Sequence, residues 1–299
     1  MEHRTDRRGL LRIGAAAAVG GAAAILSASA GAVEPVHRTG GPRLKLSCCA
    51  YSYRQFLQGP NKSMSLDDFI DRCVEMGLDG VELTSYYFPP DTDANLLNHL
   101  KKKVFLAGMA VSGTSLGGSF TLPPGPERDK QIELTKTWLD RSEQLGAPCM
   151  RVFAGSVPRG STEDDARKWC IECLEACSDY AAKRGVMMAL ENHGGITSRA
   201  DQVLAIMKAV KSDWVGLNLD TGNFRGPNPY DEIAQVAPYA VTTHIKTYVG
   251  SAGPADYKRL IEIMRAAGYR GYLSMEYEDR EDPRTAVPRH MAELRKLVG

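Results

Sequence analysis

From Arg43 to the C-terminus, short apolar or β-branched runs alternate with amphipathic segments of helical period, the signature of a parallel β-sheet joined by helices. Strands are expected near Lys45–Ala50, Gly80–Thr84, Phe105–Ser112, Met150–Phe153, Val186–Glu191, Val215–Asp220, Val241–Lys246 and Gly271–Glu276. Eight parallel strands spaced by roughly 30 residues per βα unit are enough to close a barrel. An open doubly wound sheet would share the alternation, but no Gly-rich phosphate loop follows the first strand. No Pro/Gly/Ser-rich linker interrupts the pattern after Gly41. The expectation is one α/β domain, a single (β/α)8 barrel over residues 43–299.

Helix boundaries support this division. Ser65-Leu66-Asp67-Asp68 resembles a capping box, with Phe69, Ile70, Cys73 and Val74 as the buried face and Gly77 placed to end the helix. A later helix starts at Pro126 and runs through Leu134, Trp138 and Leu145 to Gly146. Cys170, Cys173 and Cys177, with Leu174, form an apolar stripe with no fourth ligand at metal spacing.

Residues 1–30 read as a targeting segment. Asp6-Arg7-Arg8-Gly9-Leu10-Leu11-Arg12 resembles a twin-arginine export signal, followed by the Ala/Gly-rich run Ile13 to Leu26 and by Ala28-Ser29-Ala30 at cleavage spacing. A membrane anchor is the alternative, but the run is short and Gly-rich, so no stable insertion is expected after cleavage. Residues 31–42 are then a short linker, and the mature protein is expected in the periplasm or another extracytoplasmic space. The twin-arginine resemblance implies export of a protein already folded, with any metal installed in the cytoplasm. An odd count of seven cysteines without a disulfide framework agrees with that order.

The leader carries four of the arginines, so the balance of 37 basic and 36 acidic side chains becomes near-neutral without it. A near-neutral barrel has no general attraction for a phosphate backbone, which argues against nucleic acid as a partner. Hydrophobic residues at 43% supply ample surface for a core.

In a barrel of this kind the site forms where the strands end. Strand five ends in Glu191-Asn192-His193, strand six in Asp220-Thr221-Gly222-Asn223, strand seven in His244-Ile245-Lys246 and strand eight in Glu276-Tyr277-Glu278. Each carboxylate or imidazole alone is explained by a helix cap or a satisfied core histidine. Four at successive strand ends converge on one axis. Two Glu, one Asp and one His make an oxygen-rich set with one nitrogen, suited to Mn²⁺ first and to Mg²⁺, Co²⁺ or Zn²⁺ as alternatives.

These features resemble the sugar phosphate isomerase/epimerase family of the xylose isomerase-like TIM barrel superfamily. The likeness rests on Gly80-Val81-Glu82-Leu83, Leu190-Glu191-Asn192-His193, Asp220-Thr221-Gly222-Asn223, His244-Ile245-Lys246 and Met275-Glu276, and spans most of Lys45 to Leu297. It implies one divalent ion held by Glu191, Asp220, His244 and Glu276, with His193 similar to a residue that contacts substrate oxygen. One departure is Asn223, where many ketose epimerases carry His; an amide donates a hydrogen bond but cannot titrate. With four histidines beyond the leader and its junction, His99, His193, His244 and His290, a trinuclear centre like that of related apurinic endonucleases is not expected.

The implied chemistry is proton transfer next to a carbonyl through an enediolate, with Glu191 and Glu276 as base and conjugate acid. Substrate contacts are expected from His193, Lys246, Asn223, Arg151 and Glu82, and the aromatics Tyr51, Tyr53, Tyr86, Tyr87 and Phe88 are placed to cover a sugar or pack the rim. The substrate class is a small, unphosphorylated sugar or keto-sugar. A lyase or dehydratase acting on a keto-sugar, inosose or keto-glycoside is the first alternative and a non-catalytic sugar-binding barrel the second. Pairing of barrels into a homo-oligomer stays open.

Overall fold

Period-two alternation sorts the strand side chains onto two faces, and the computed structural model, which describes residues 33–60 and 62–298, turns these faces into the inside and outside of a barrel. The strands are β1 (Arg43–Cys49), β2 (Gly80–Thr84), β3 (Ala110–Ser115), β4 (Cys149–Phe153), β5 (Met187–Glu191), β6 (Val215–Asp220), β7 (Ala240–Ile245) and β8 (Arg270–Met275). All neighbours are parallel, and β8 pairs back onto β1 from Arg43 opposite Arg270 to Cys48 opposite Met275. The expected (β/α)8 barrel is the fold. The export signal expected over residues 1–30 lies outside the described residues.

Eight helices of two turns or more fill the connections among the described residues: α1 (Leu66–Glu75), α2 (Ala94–Leu106), α3 (Pro126–Leu145), α4 (Glu163–Arg184), α5 (Ala200–Met207), α6 (Pro229–Val236), α7 (Tyr257–Ala266) and α8 (Pro283–Val298). Ser65 and Asp68 form the expected capping box on α1, and Gly146 ends α3 in the left-handed conformation at φ 78°. Strand residues such as Leu46, Val81, Met188, Leu190, Leu217, Leu219 and Met275 join the core under these helices. Cys170, Cys173, Cys177 and Leu174 are buried there too, and all seven cysteines are free thiols.

The residues between them point inward. Ser47, Glu82, Glu191, Asn218, Asp220, His244 and Ser274 are all buried, and polar contacts such as Ser274 to Glu82 cross the barrel lumen. Ser47 and Ser112 meet hydroxyl to hydroxyl at 2.6 Å in the same lumen. A lumen of small and polar side chains leaves its strand ends free to build a site.

Three expectations are corrected. The third strand is Ala110–Ser115 rather than Phe105–Ser112, because α2 continues through Leu106 with Phe105 and Leu106 turned to solvent, 76% and 71% exposed. A short apolar run has no period of its own, and here it completes a helix. Val74, expected on the buried face of its helix, is likewise exposed. The first strand begins at Arg43 and ends at Cys49, with Ala50 already in a 3-10 turn. Residues 33–42, read above as part of a short linker, lie against the barrel. Val33 donates its N–H to the carbonyls of Met207 and Val210, Val36 to Pro238, and the Arg38 guanidinium lies 5.1 Å from the Tyr269 ring centroid. The segment straps the face opposite the strand carboxyl ends, and among the described residues no helix is long and apolar enough to cross a membrane.

Candidate metal and active site

The register sets the height of each candidate. Cys49 pairs with Glu82, Glu191 with Asn218, and Asp220 with His244, so inward residues near the carboxyl ends of β1, β2, β5, β6 and β7 stand beside one another. Glu276 follows β8 directly, its N–H bonded to the Ile245 carbonyl at 3.0 Å. Ligand-type atoms of Glu191, Asp220, His244 and Glu276 all lie within 4.8 Å of one another, and a second trio of Cys49, His244 and Glu276 overlaps them.

Each member is held by its own partners. Glu191 accepts from Asn218 Nδ2 at 3.0 Å, with Arg151 Nε 3.1 Å from the same Oε2 and Asn223 Nδ2 3.4 Å from Oε1. Burial pushes its carboxyl up, but Arg151 and His244 outweigh that and hold it below the usual range. Asn192 clips Asp220 to the barrel by accepting its N–H and donating to its carbonyl, both at 2.8 Å. Asp220 Oδ1 accepts the Gly222 N–H at 2.8 Å, while Oδ2 is buried without a hydrogen-bond donor. Burial drives Asp220 up to about 7 despite Lys246, with Glu191 and Glu276 adding to the rise.

His244 is the hub. Its Nε2 sits 2.8 and 3.0 Å from the two Glu82 oxygens, and its Nδ1 faces Glu191 Oε2 at 3.4 Å and Glu276 Oε2 at 3.3 Å. Burial disfavours its charge, yet Glu276 and Glu82 raise the imidazole well above its ordinary value, so the ring carries a proton that a divalent cation would displace. In the neutral ring, a proton on Nε2 bonded to Glu82 leaves the Nδ1 lone pair turned toward the carboxylates, the tautomer a metal ligand needs. Glu276 is held well below the carboxylate range, burial being overcome by His244 and Lys246. Lys246 Nζ donates to Glu276 Oε2 and Glu278 Oε2, each at 2.6 Å, and lies 3.4 Å from Asp220 Oδ2.

The residues fit a divalent cation. Among the described residues, Glu82, Glu191, Asp220, Glu276 and Glu278 form ion pairs with no permanent cation but Arg151 and Lys246, besides the imidazole. Asp220 Oδ2 and Asn218 Oδ1 are buried oxygens without donors, and three carboxylates with one imidazole suit Mn²⁺ or Mg²⁺ better than a thiolate-bound zinc.

The structure distributes the other sequence candidates unevenly. Glu82, expected at the substrate, is 2% exposed and occupied by His244, Ser115, Ser274 and Cys49 behind the imidazole. Lys246 is drawn to carboxylates on both sides. Arg151 is wedged between Glu191, the Leu116 carbonyl at 3.2 Å, the Tyr86 hydroxyl at 3.4 Å and the Phe153 ring at 3.9 Å. His193 is exposed at the mouth, its ring 4.0 Å from that of Phe153, and Asn223 approaches Glu191. Of the five aromatics, Tyr53, Tyr87 and Phe88 are buried; Tyr51 and Tyr86 stand at the mouth, ring centroids 6.4 Å apart.

Sequence reasoning did not single out Asn218, Cys49 or Glu278. The signal for the first was available, since Asn218 lies two residues before Asp220 and must share its inward face. Cys49 has the same relation to Ser47. Glu278 lies past the end of β8, where alternation no longer constrains direction.

Known proteins share this architecture. The chain is 23% identical over 259 residues to a 2-oxo-tetronate isomerase of Cupriavidus necator, covering 80% of this chain and 97% of that one. Among solved structures, D-psicose 3-epimerase from Clostridium cellulolyticum superposes with a TM-score of 0.71 at 15% identity, over 85% of this chain and 99% of the other. A 3-keto-D-glucoside 4-epimerase from E. coli gives 0.67 at 18% identity, with the same 85% and 99% coverage. The sequence pattern of the xylose isomerase-like TIM barrel family matches residues 70–297, well over half of the chain. With its closed eight-stranded parallel barrel, the chain belongs to the xylose isomerase-like TIM barrel family.

Proposed function

We propose that this chain is a metal-dependent isomerase or epimerase of a small sugar or keto-sugar, moving a proton on the carbon beside a carbonyl through an enediolate. The observation that carries the reading is the placement of Glu191 and Glu276 at 3.4 and 3.3 Å from one imidazole nitrogen, each beside its own buried cation. The three relatives named above act, by their names, on a 2-oxo-tetronate, D-psicose and a 3-keto-D-glucoside, all of which pair a carbonyl with neighbouring hydroxylated carbon.

A divalent ion held by Glu191, Asp220, His244 and Glu276, Mn²⁺ first and Mg²⁺, Co²⁺ or Zn²⁺ as alternatives, would polarise a substrate carbonyl and offset developing negative charge. The proton work belongs to side chains. Both glutamates are held ionised by their surroundings, so each is ready to accept a proton from carbon, and once protonated each is acidic enough to return it. Arg151 and Asn218 fix the direction of Glu191; Lys246 does the same for Glu276. Glu82 acts at one remove by aiming the imidazole. His193 and Asn223 are left to meet substrate oxygens, and Tyr51 and Tyr86 to cover the sugar's apolar face.

The test is solvent exchange. Mn²⁺-loaded protein in deuterated water, given free ketoses, keto-sugars and 2-oxo sugar acids, is expected to place carbon-bound deuterium beside the carbonyl of one of them. Metal-loaded protein that exchanges none of them would leave the sugar-binding barrel as the better reading, and elimination products would favour the lyase.

We also propose that the mature protein is exported through the twin-arginine route, on the strength of Arg7-Arg8 and the run that follows. Replacing both arginines with Lys is expected to leave folded, metal-loaded protein in the cytoplasmic fraction. Undiminished export of that variant defeats the proposal.

A further inference from the structure

We propose that Glu278 determines metal affinity without touching the metal: it draws the Lys246 ammonium outward, away from the Glu276 and Asp220 oxygens that would hold a divalent cation. This inference rests on the metal reading above and adds a residue to it.

The argument begins with one oxygen. Glu276 Oε2 faces His244 Nδ1 at 3.3 Å and also accepts the Lys246 ammonium at 2.6 Å. Lys246 Nζ lies 3.4 Å from Asp220 Oδ2, the buried oxygen that receives no hydrogen bond. An ammonium and a dication therefore compete for the same two oxygens, and at such range their mutual repulsion in a buried site is large. Loading the ion requires the ammonium to give ground.

Glu278 supplies the place for it to go. Its Oε2 is 2.6 Å from Lys246 Nζ, and it is the most exposed of the three carboxylates around that ammonium, with 27% of its side chain exposed against 6% for Glu276 and none for Asp220. The Tyr248 hydroxyl donates to the same oxygen at 3.3 Å and anchors it at the mouth. Gly222 keeps the lane open: a Cβ there would stand 2.7 Å from Lys246 Cγ and 2.9 Å from the Tyr248 ring. A flexible four-carbon stem in that lane lets Nζ shift between inner and outer carboxylates without moving the backbone. Without Glu278, displacing the ammonium would strand a buried charge, which is costly.

A simpler account is that Glu278 only adds negative potential at the mouth. The two accounts separate in a double-mutant cycle. Mn²⁺ binding is measured by the loss of the free-ion paramagnetic signal and by chelator competition for wild type, Glu278→Gln, Lys246→Met and the double variant, each checked for a cooperative melt. Glu278→Gln is expected to weaken Mn²⁺ binding by about tenfold or more, as for other close charge pairs. Lys246→Met is expected to bind at least as tightly as wild type, and adding Glu278→Gln to it should change affinity by less than about threefold, within the scatter of uncoupled sites. Should the Met variant not fold, Lys246→Gln serves in its place. Wild-type affinity in Glu278→Gln, or an equal loss in both backgrounds, overturns the proposal while leaving the metal reading intact. A wild type that binds no Mn²⁺ overturns both.

Discussion

Glu276→Gln and Glu191→Gln are each expected to lower turnover by about 10²–10⁴-fold, the usual loss when one positioned acid or base is removed. Gln keeps an oxygen that can approach the ion and keeps the volume, but it neither takes nor returns a proton. The two variants should differ in stability. Lys246 keeps Glu278 when Glu276 is neutralised, whereas Arg151, 2% exposed, loses the carboxylate 3.1 Å from its Nε when Glu191 is neutralised. A buried charge that loses its partner costs about 3–5 kcal/mol in typical cases, so Glu191→Gln should melt well below Glu276→Gln. Turnover and deuterium exchange, measured together, decide the roles. Exchange that falls with turnover assigns the first proton to the altered residue; exchange that persists while product formation stops assigns it a later step. Wild-type values for both in both variants would refute the acid and base assignment.

Asp220→Asn is expected to move two observables in opposite directions. Mn²⁺ affinity should fall by more than the roughly 10–100-fold that loss of a residue supporting a ligand typically costs, a range in which Glu82→Ala should lie. The cation-free protein should nevertheless become more stable at neutral pH. Burial, with Glu191 and Glu276 nearby, raises Asp220 from 3.8 to about 7 in the folded chain, against the pull of Lys246. The folded state thus binds that proton more tightly than the unfolded state does, and the advantage fades as pH climbs from the unfolded carboxyl range toward 7. Removing the carboxylate removes the loss, a gain on the order of 1–3 kcal/mol above that window and little below it. Melting temperatures in chelator at pH 5 and pH 8 check the sign. A variant that loses stability at pH 8 would mean that Asp220 is a structural anchor in the cation-free protein, and unchanged Mn²⁺ affinity would remove it from the ligand set.

Both expectations trade on an arrangement that favours charge binding over stability. Four buried carboxylates gathered in one barrel interior, with Asp220 Oδ2 left without a donor, is a poor way to stabilise a fold and a good way to hold a dication.

Much of this was legible in the chain. Eight strands, their order and the polar strand ends all follow from local periodicity, because a side-chain period of two assigns a face and barrel closure makes the inward faces converge. Glu191, Asp220, His244 and Glu276 could be named as a cluster for that reason. The third strand was misplaced because Val104-Phe105-Leu106 is too short a run to distinguish a helix end from a strand start. Tyr53, Tyr87 and Phe88 follow strand ends just as Tyr51 and Tyr86 do, and nothing local separates those that turn under the rim from those that stand at the mouth.

What the sequence alone determined, then, is which residues reach the carboxyl end of the barrel and which of them share its interior. Only the tertiary structure decided what each one meets there. Glu82 of β2 reaches across the lumen to His244 of β7, Lys246 bridges Glu276 to Glu278, and residues 33–42 strap the opposite face. Such pairings join residues 162 positions apart for Glu82 and His244 and 202 apart for Arg38 and Ala240, and their choice depends on rotamers and charge balance settled after the barrel closes. Local periodicity carries no information about them.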